Sequence, residues 1–178
     1  GNTQKQGVDF DRIFSTVVKI TTIRVVFAIA AARDYNLTSI DVQQAYLQAT
    51  LTETLYMRMP PGLPSRAPDG WPLIVRLVKS LYGLKQAGLA WWLLLTSFLK
   101  EWGFTQSTVD VCLYTYQSGS SILWLLVWVD DTIIVDNDVE LRERFVADLG
   151  RRFPVEDKRE LSWILGVKVT RDRKRRTL

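Results

Sequence analysis

Two adjacent carboxylates, Asp130 and Asp131, interrupt the stretch LLVWVDDTIIVD, whose other residues favour buried strand. A carboxylate buried without a partner usually takes up a proton, and two side by side repel each other. The pair is therefore expected at the tip of a tight hairpin between LLVWV and TIIVD, where Asp bonds nearby backbone and tolerates unusual φ. An ordinary surface turn would serve equally well. A third carboxylate, Asp41, ends another apolar strand, LTSIDV. If the two strands are neighbours, three carboxylates converge at one end of a sheet. Divalent cations relieve such repulsion, and two Mg²⁺ ions held by Asp clamp the attacking and leaving oxygens of a phosphoryl transfer. Asp41 alone reads as a strand-end cap, so the chemistry rests on the triplet.

Composition narrows the alternatives. The chain of 178 residues has no His, which removes His-based triads and His-ligated metal sites. A metal here would be a hard cation on oxygen ligands. Cys112 is alone, so no disulfide framework exists. Apolar runs such as SILWLLVWV are strand-sized and too short to span a bilayer, so no membrane partner is expected, and no targeting signal is read. Seven Trp serve a core or a stacking surface. The net charge of +4 equals that of the tail RDRKRRTL, residues 171–178. That tail reads as a solvated helix end, a linker, or a phosphate-binding arm.

The elements that must position the carboxylates follow from periodicity. A helix is expected from about Lys19 to Arg33, with Ser15, Thr16, Thr21 and Thr22 as candidate caps. A strand ending near Asp41 leads into a turn or short helix. Strands at Leu55–Met59 and Leu73–Leu77 flank a proline-rich loop. QAGLAWWLLLTSFLKEW is a strong helix stopped by Gly103. A hairpin turns at Ser118–Ser121, TIIVDN is the next strand, and Asp138 caps a helix over DVELRERFVADLGRRF. LSWILGVKVTRD is expected as one last strand. The order of elements predicts α+β, with helices on one face of a mostly antiparallel sheet.

Five ordered blocks carry a resemblance: GVDFDRIFSTVVKITTIRVVFAIAAA, SIDVQQAYLQATL with LYMRMPPG, LVKSLYGLKQAGLAWW, WVDDTIIVDND and ELSWILGVKV. Together they resemble the copia-type (Ty/copia) retrotransposon reverse transcriptase over residues 1–170. The resemblance implies a ferredoxin-like polymerase palm with part of the fingers, with 171–178 as a basic tail or the start of a connector. It implies RNA-directed DNA polymerase activity on a primed RNA or DNA template with dNTPs. Two Mg²⁺ ions, or Mn²⁺ as a substitute, would be held by Asp41, Asp130, Asp131 and the carbonyl of Val42. Tyr46 resembles the steric gate beneath the nucleotide sugar, against the alternative of a plain core aromatic. Tyr82, Gly83, Lys85 and Gln86 are candidate nucleotide or template contacts, Gly83 by letting backbone approach closely. Trp128, Trp163 and Gly166 are candidate nucleic-acid contacts, the last two near a primer grip. The resemblance also places the chain in a polyprotein, without its RNase H and integrase, in a cytoplasmic virus-like particle. Alone, the fragment is expected to be inactive.

The chain departs from the family pattern in several places. Trp128 stands where Tyr usually precedes VDD. Gly88 and Leu89 replace Pro and Arg in LKQAPRAWY. LNG reads LQA at Leu47–Ala49, VGND reads VDND at Val135–Asp138, and LGEL reads KREL at Lys158–Leu161. All three carboxylates are kept. The drift leaves open a decayed, non-catalytic palm that only binds nucleic acid. A small RNA-recognition-type domain shares the sheet-and-helix plan, with Trp124, Leu126 and Trp128 alternating on one strand face, but its carboxylates would repel phosphates.

Overall fold

The computed structural model describes residues 1–178, and the chain divides into two compact units, Gly1–Phe14 with Tyr46–Leu94 and Ser15–Ala45 with Leu95–Leu178. The second unit is built on a six-stranded antiparallel sheet in the order β4-β5-β6-β7-β1-β8. Its strands are β1 (Asn36–Val42), β4 (Thr105–Gln106), β5 (Leu113–Ser118), β6 (Ser121–Trp128), β7 (Asp131–Asp136) and β8 (Val155–Glu160). The mixed, mostly antiparallel architecture is compatible with a palm-and-fingers fragment.

Thr132 to Asp136 are all buried. Successive strand residues point to opposite faces, so both faces of β7 are covered. Helix α4 (Val139–Arg152) packs on β6, β7 and β8. Phe145 of α4 meets Phe98 and Trp102 from the C-terminal part of helix α3 (Ala87–Trp102), and Trp102 Nε1 donates to Asp148 at 3.1 Å. On β7's other face, Ile133 borders a cavity that is also lined by Val18 and Leu161–Leu165.

Caps largely agree with the sequence reading, with one difference. Asp138 accepts the Leu141 N–H and starts α4, and Gly103 at φ 105 ends α3. Helix α1 (Ile20–Arg33) uses none of the four expected Ser or Thr caps. Its first turn is capped from a distance by Asp110, whose Oδ2 accepts from Lys19 N at 2.9 Å and Thr22 Oγ1 at 2.6 Å.

The segment after α4 differs from the expected single strand. Val155–Glu160 forms β8, and β9 (Trp163–Ile164) pairs with β10 (Val167–Lys168) as a two-stranded hairpin. Its turn takes Leu165 at φ 49 and Gly166 at φ 77, which breaks the expected extended run. The basic tail is not a free arm. Arg171, Arg173 and Arg176 all pair with Asp34 at the C-terminus of α1, and the Arg171 side chain is only 9% exposed.

The first unit carries the ribbon of β2 (Thr50–Arg58) and β3 (Ile74–Lys79) around the proline-rich loop. The short helix α2 (Ala45–Gln48) lies between β1 and β2 in the chain. No helix of the molecule is long and apolar enough to cross a membrane.

Candidate active site

β1 supplies Asp41 and β7 supplies Asp131, and the two are direct register partners on adjacent antiparallel strands. Residues opposed in this way share a face, with Cβ atoms about 4.5–5.5 Å apart. Their carboxylates already hold one cation. Oδ1 of Asp41 and Oδ1 of Asp131 lie 3.1 and 2.9 Å from Nζ of Lys158.

Lys158 reaches that point through an irregularity in β8. Ser39 faces Arg159 while Ile40 faces Asp157, so Lys158 is the extra residue of a β-bulge on the edge strand. Arg159 takes φ 61 and donates its N–H to Asp157 Oδ1 at 2.8 Å. Such a bend suits glycine, because a side chain in this region is disfavoured. Lys158 and Arg159 stand where the family pattern LGEL has Leu and Gly. Burial pulls the Lys158 ammonium down, but the hydrogen bonds it donates to Asp131 and then to Asp41 outweigh that and hold its pKa above the ordinary lysine value. An ammonium about 4 Å from a divalent ion opposes that ion by roughly 2 kcal/mol even at the dielectric of water.

Asp130 is placed differently. Trp128 pairs with Asp131, so the two-residue turn is Val129–Asp130, and Asp131 is already strand. The expected hairpin is present with its tip one residue earlier. Val129 takes φ 55, a strained value for a β-branched residue, and its N–H is held by Thr16 O at 2.7 Å. The carbonyl of Asp130 accepts the Val42 N–H at 2.9 Å, which ties the turn to the end of β1. No three of the chain's Asp, Glu and Cys side chains gather into a group that could hold a metal. The expected triplet resolves into a facing pair, Asp41 and Asp131, beside a turn that carries Asp130. The donors fit a hard cation, as oxygen ligands do, and the cation that the fold itself provides is Lys158.

Beside the pair lies a cavity of about 270 Å³ lined by Trp128, Asp131, Lys158, Leu161 and Trp163. Trp163 is 61% exposed, and Gly166 sits in the β9–β10 turn. These are the three residues read as nucleic-acid contacts.

The nucleotide candidates fall in the first unit. The rings of Tyr46 and Tyr82 lie 4.6 Å apart and are tilted by 44°. Gly83 takes φ 97, a conformation that glycine enters freely. The backbone N–H of Lys85 donates to Gln4 Oε1 at 2.8 Å, and its side chain is exposed. Gln86 is buried, accepts from Gln4 Nε2 at 3.0 Å and donates to Asp9 O at 2.9 Å. Its amide ties down the N-terminal segment.

The whole chain, residues 1–178, matches the family described as reverse transcriptase (RNA-dependent DNA polymerase). The chain belongs to the reverse transcriptase family. Its relatives place this reverse transcriptase segment in the copia-type branch. It is 40% identical over 96% of its length to the retrovirus-related Pol polyprotein from transposon RE1 of Arabidopsis thaliana, of which it covers 12%. It is 38% identical over its full length to the Pol polyprotein from transposon TNT 1-94 of Nicotiana tabacum, of which it covers 13%. A transposon Ty1-GR3 Gag-Pol polyprotein of Saccharomyces cerevisiae is 32% identical over 71% of the chain, which covers 7% of it. The chain thus spans about an eighth of the plant polyproteins it matches.

Sequence reasoning passed over Lys158 as a site residue. The available signal was the reversal of character in LGEL to KREL. Only the bulge register turns that substitution towards the carboxylates.

Proposed function

We propose that this chain is the palm, with part of the fingers, of an RNA-directed DNA polymerase cut from a copia-type polyprotein. The supporting observation is the facing pair Asp41 and Asp131, whose oxygens converge on a single cation at the end of a buried antiparallel sheet. The facing carboxylates Asp41 and Asp131 would hold a divalent cation, and the family resemblance adds Asp130 and the Val42 carbonyl as the remaining ligands of a two-Mg²⁺ site. Bound there, such ions lower the pKa of a primer 3′-hydroxyl and offset charge on the incoming triphosphate. The protein's part is positioning. β1 and β7 fix the carboxylate spacing, and the Asp130–Val42 hydrogen bond holds the turn. In this reading Tyr46 excludes a 2′-hydroxyl, and Tyr82, Gly83, Lys85 and Gln86 line the nucleotide path. Trp128, Trp163 and Gly166 meet the primer–template.

The test is Mg²⁺-dependent primer extension by the longer polymerase that contains this segment. Asp41→Asn or Asp130→Asn should lower extension by at least about a thousandfold, with the variant still folded by circular dichroism. Near-normal extension by either folded variant overturns the assignment. A second reading, a palm that binds nucleic acid without polymerising, is favoured by one observation, the ammonium lodged between two of the carboxylates. Under it the wild-type parent binds primer–template but does not extend it.

A further inference from the structure

From the bulge geometry we propose that Lys158 is a built-in counter-ion that holds the Asp41–Asp131 pair together without metal and competes with divalent cations for it. The proposal rests on reading that pair as a cation site. Three features of the structure point the same way. The ammonium contacts both carboxylates rather than one, at 3.1 and 2.9 Å. It lies on the one residue of β8 that has no register partner on β1, so the bulge is what directs it there. Arg159 accepts φ 61, a region unfavourable to a residue with a side chain, to make that bulge.

Two oxygens that already share an ammonium present less net negative charge to an incoming ion. A divalent cation must displace Lys158 or bind beside it. Lys158 has somewhere to go, because its side chain is 41% exposed and the adjoining cavity opens beside it. The pairing is therefore a weight on the equilibrium rather than a lock. It keeps the facing carboxylates from repelling each other while no metal is present, and it raises the cation concentration at which they load.

The experiment titrates the 178-residue chain with Mn²⁺ and follows free Mn²⁺ by electron paramagnetic resonance at low salt. Wild type is compared with Lys158→Leu and Lys158→Met, each alone and combined with Asp41→Asn. Circular dichroism confirms that each variant is folded, and Lys158→Met, which keeps the aliphatic stem, decides if Lys158→Leu does not fold. Both uncharged variants should bind Mn²⁺ at least about tenfold more tightly than wild type. Asp41→Asn should abolish that gain. In the absence of Mn²⁺ the uncharged variants should melt lower, and Mn²⁺ should raise their melting temperatures more than it raises that of wild type. Affinity within about twofold of wild type in a folded Lys158→Met chain overturns the proposal, as does a gain that survives Asp41→Asn. The broader reading is scored separately. If Asp41→Asn weakens Mn²⁺ binding in the wild-type background, the carboxylates remain a metal site even when the counter-ion idea fails. If Asp41→Asn changes nothing in any background, the metal-site reading fails with it.

Discussion

Arg159 shows how much backbone strain a single residue can carry. At φ 61 its Cβ crowds the following carbonyl, at a cost of about 1–2 kcal/mol that glycine does not incur. The family pattern carries glycine at this position. Arg159→Gly should stabilise the chain by about 1 kcal/mol in urea denaturation, part of the relief being offset by the greater freedom of unfolded glycine. A decrease in the denaturation midpoint would show that the Arg159 side chain contributes more than its backbone costs. Cys112 carries a quieter lesson. Burial first, and the Asp110 charge second, push its thiol up to about 11, so the lone cysteine is an inert core residue.

At the scale of elements, α1 depends on a residue far away in sequence. Asp110 accepts from the Lys19 N–H and the Thr22 hydroxyl at the start of the helix, and its other oxygen accepts the Cys112 N–H at 3.0 Å. Burial works to raise its pKa, but the hydrogen bonds from Thr22, Lys19 and Cys112 together lower it below the ordinary value of 3.8. A carboxylate with a depressed folded pKa contributes stability above its unfolded pKa and loses it as pH falls through the folded one. Wild type should therefore lose stability as pH drops below about 4. Asp110→Asn should cost about 1–2 kcal/mol near neutrality and flatten that acid limb. Thermal melts of both proteins between about pH 2 and pH 7 check it, and parallel pH profiles would remove Asp110 from the account. The strongly periodic helices α3 and α4 were legible within a few residues. β8 was not, because VEDKRE has no apolar alternation and gains its strand form by pairing along the edge of β1.

Across the second unit, the chain's end closes onto its early helix. Asp34 ends α1 at φ 59 and receives three guanidinium groups, from Arg171, Arg173 and Arg176. Arg171 is nearly enclosed, so losing its acceptor leaves a buried cation poorly paired. Asp34→Asn keeps a residue that tolerates left-handed backbone and removes the charge. It should lower stability by about 2 kcal/mol and expose the tail to trypsin at Arg171–Arg176. Limited proteolysis beside urea denaturation measures both effects. Unchanged cleavage would mean that the tail is held by other contacts. The same clamp argues against the tail as a free phosphate-binding arm, since three of its five cations face Asp34.

By itself the sequence determined the kinds of chemistry open to the chain. Three acidic residues at strand ends, no His and one Cys leave oxygen-ligated hard cations. Ordered blocks led to the family, and local periodicity led to α1, α3, α4 and the hairpin that bears Asp130 and Asp131. These follow from interactions within about four residues, which a sequence displays directly. Three features belonged to tertiary structure alone: which carboxylates face each other, where α1 finds its cap, and what cation the pair holds. The first and the last depend on strand register, where a shift of one residue sends a side chain to the opposite face; the cap depends on the loop before β5 bringing Asp110 to the start of α1. Asp130 and Asp131 are neighbours in sequence, yet the register of β7 on β1 pairs only Asp131 with Asp41. Lys158 lies 117 residues from Asp41 and reaches it only because β8 carries one residue more than β1 can pair.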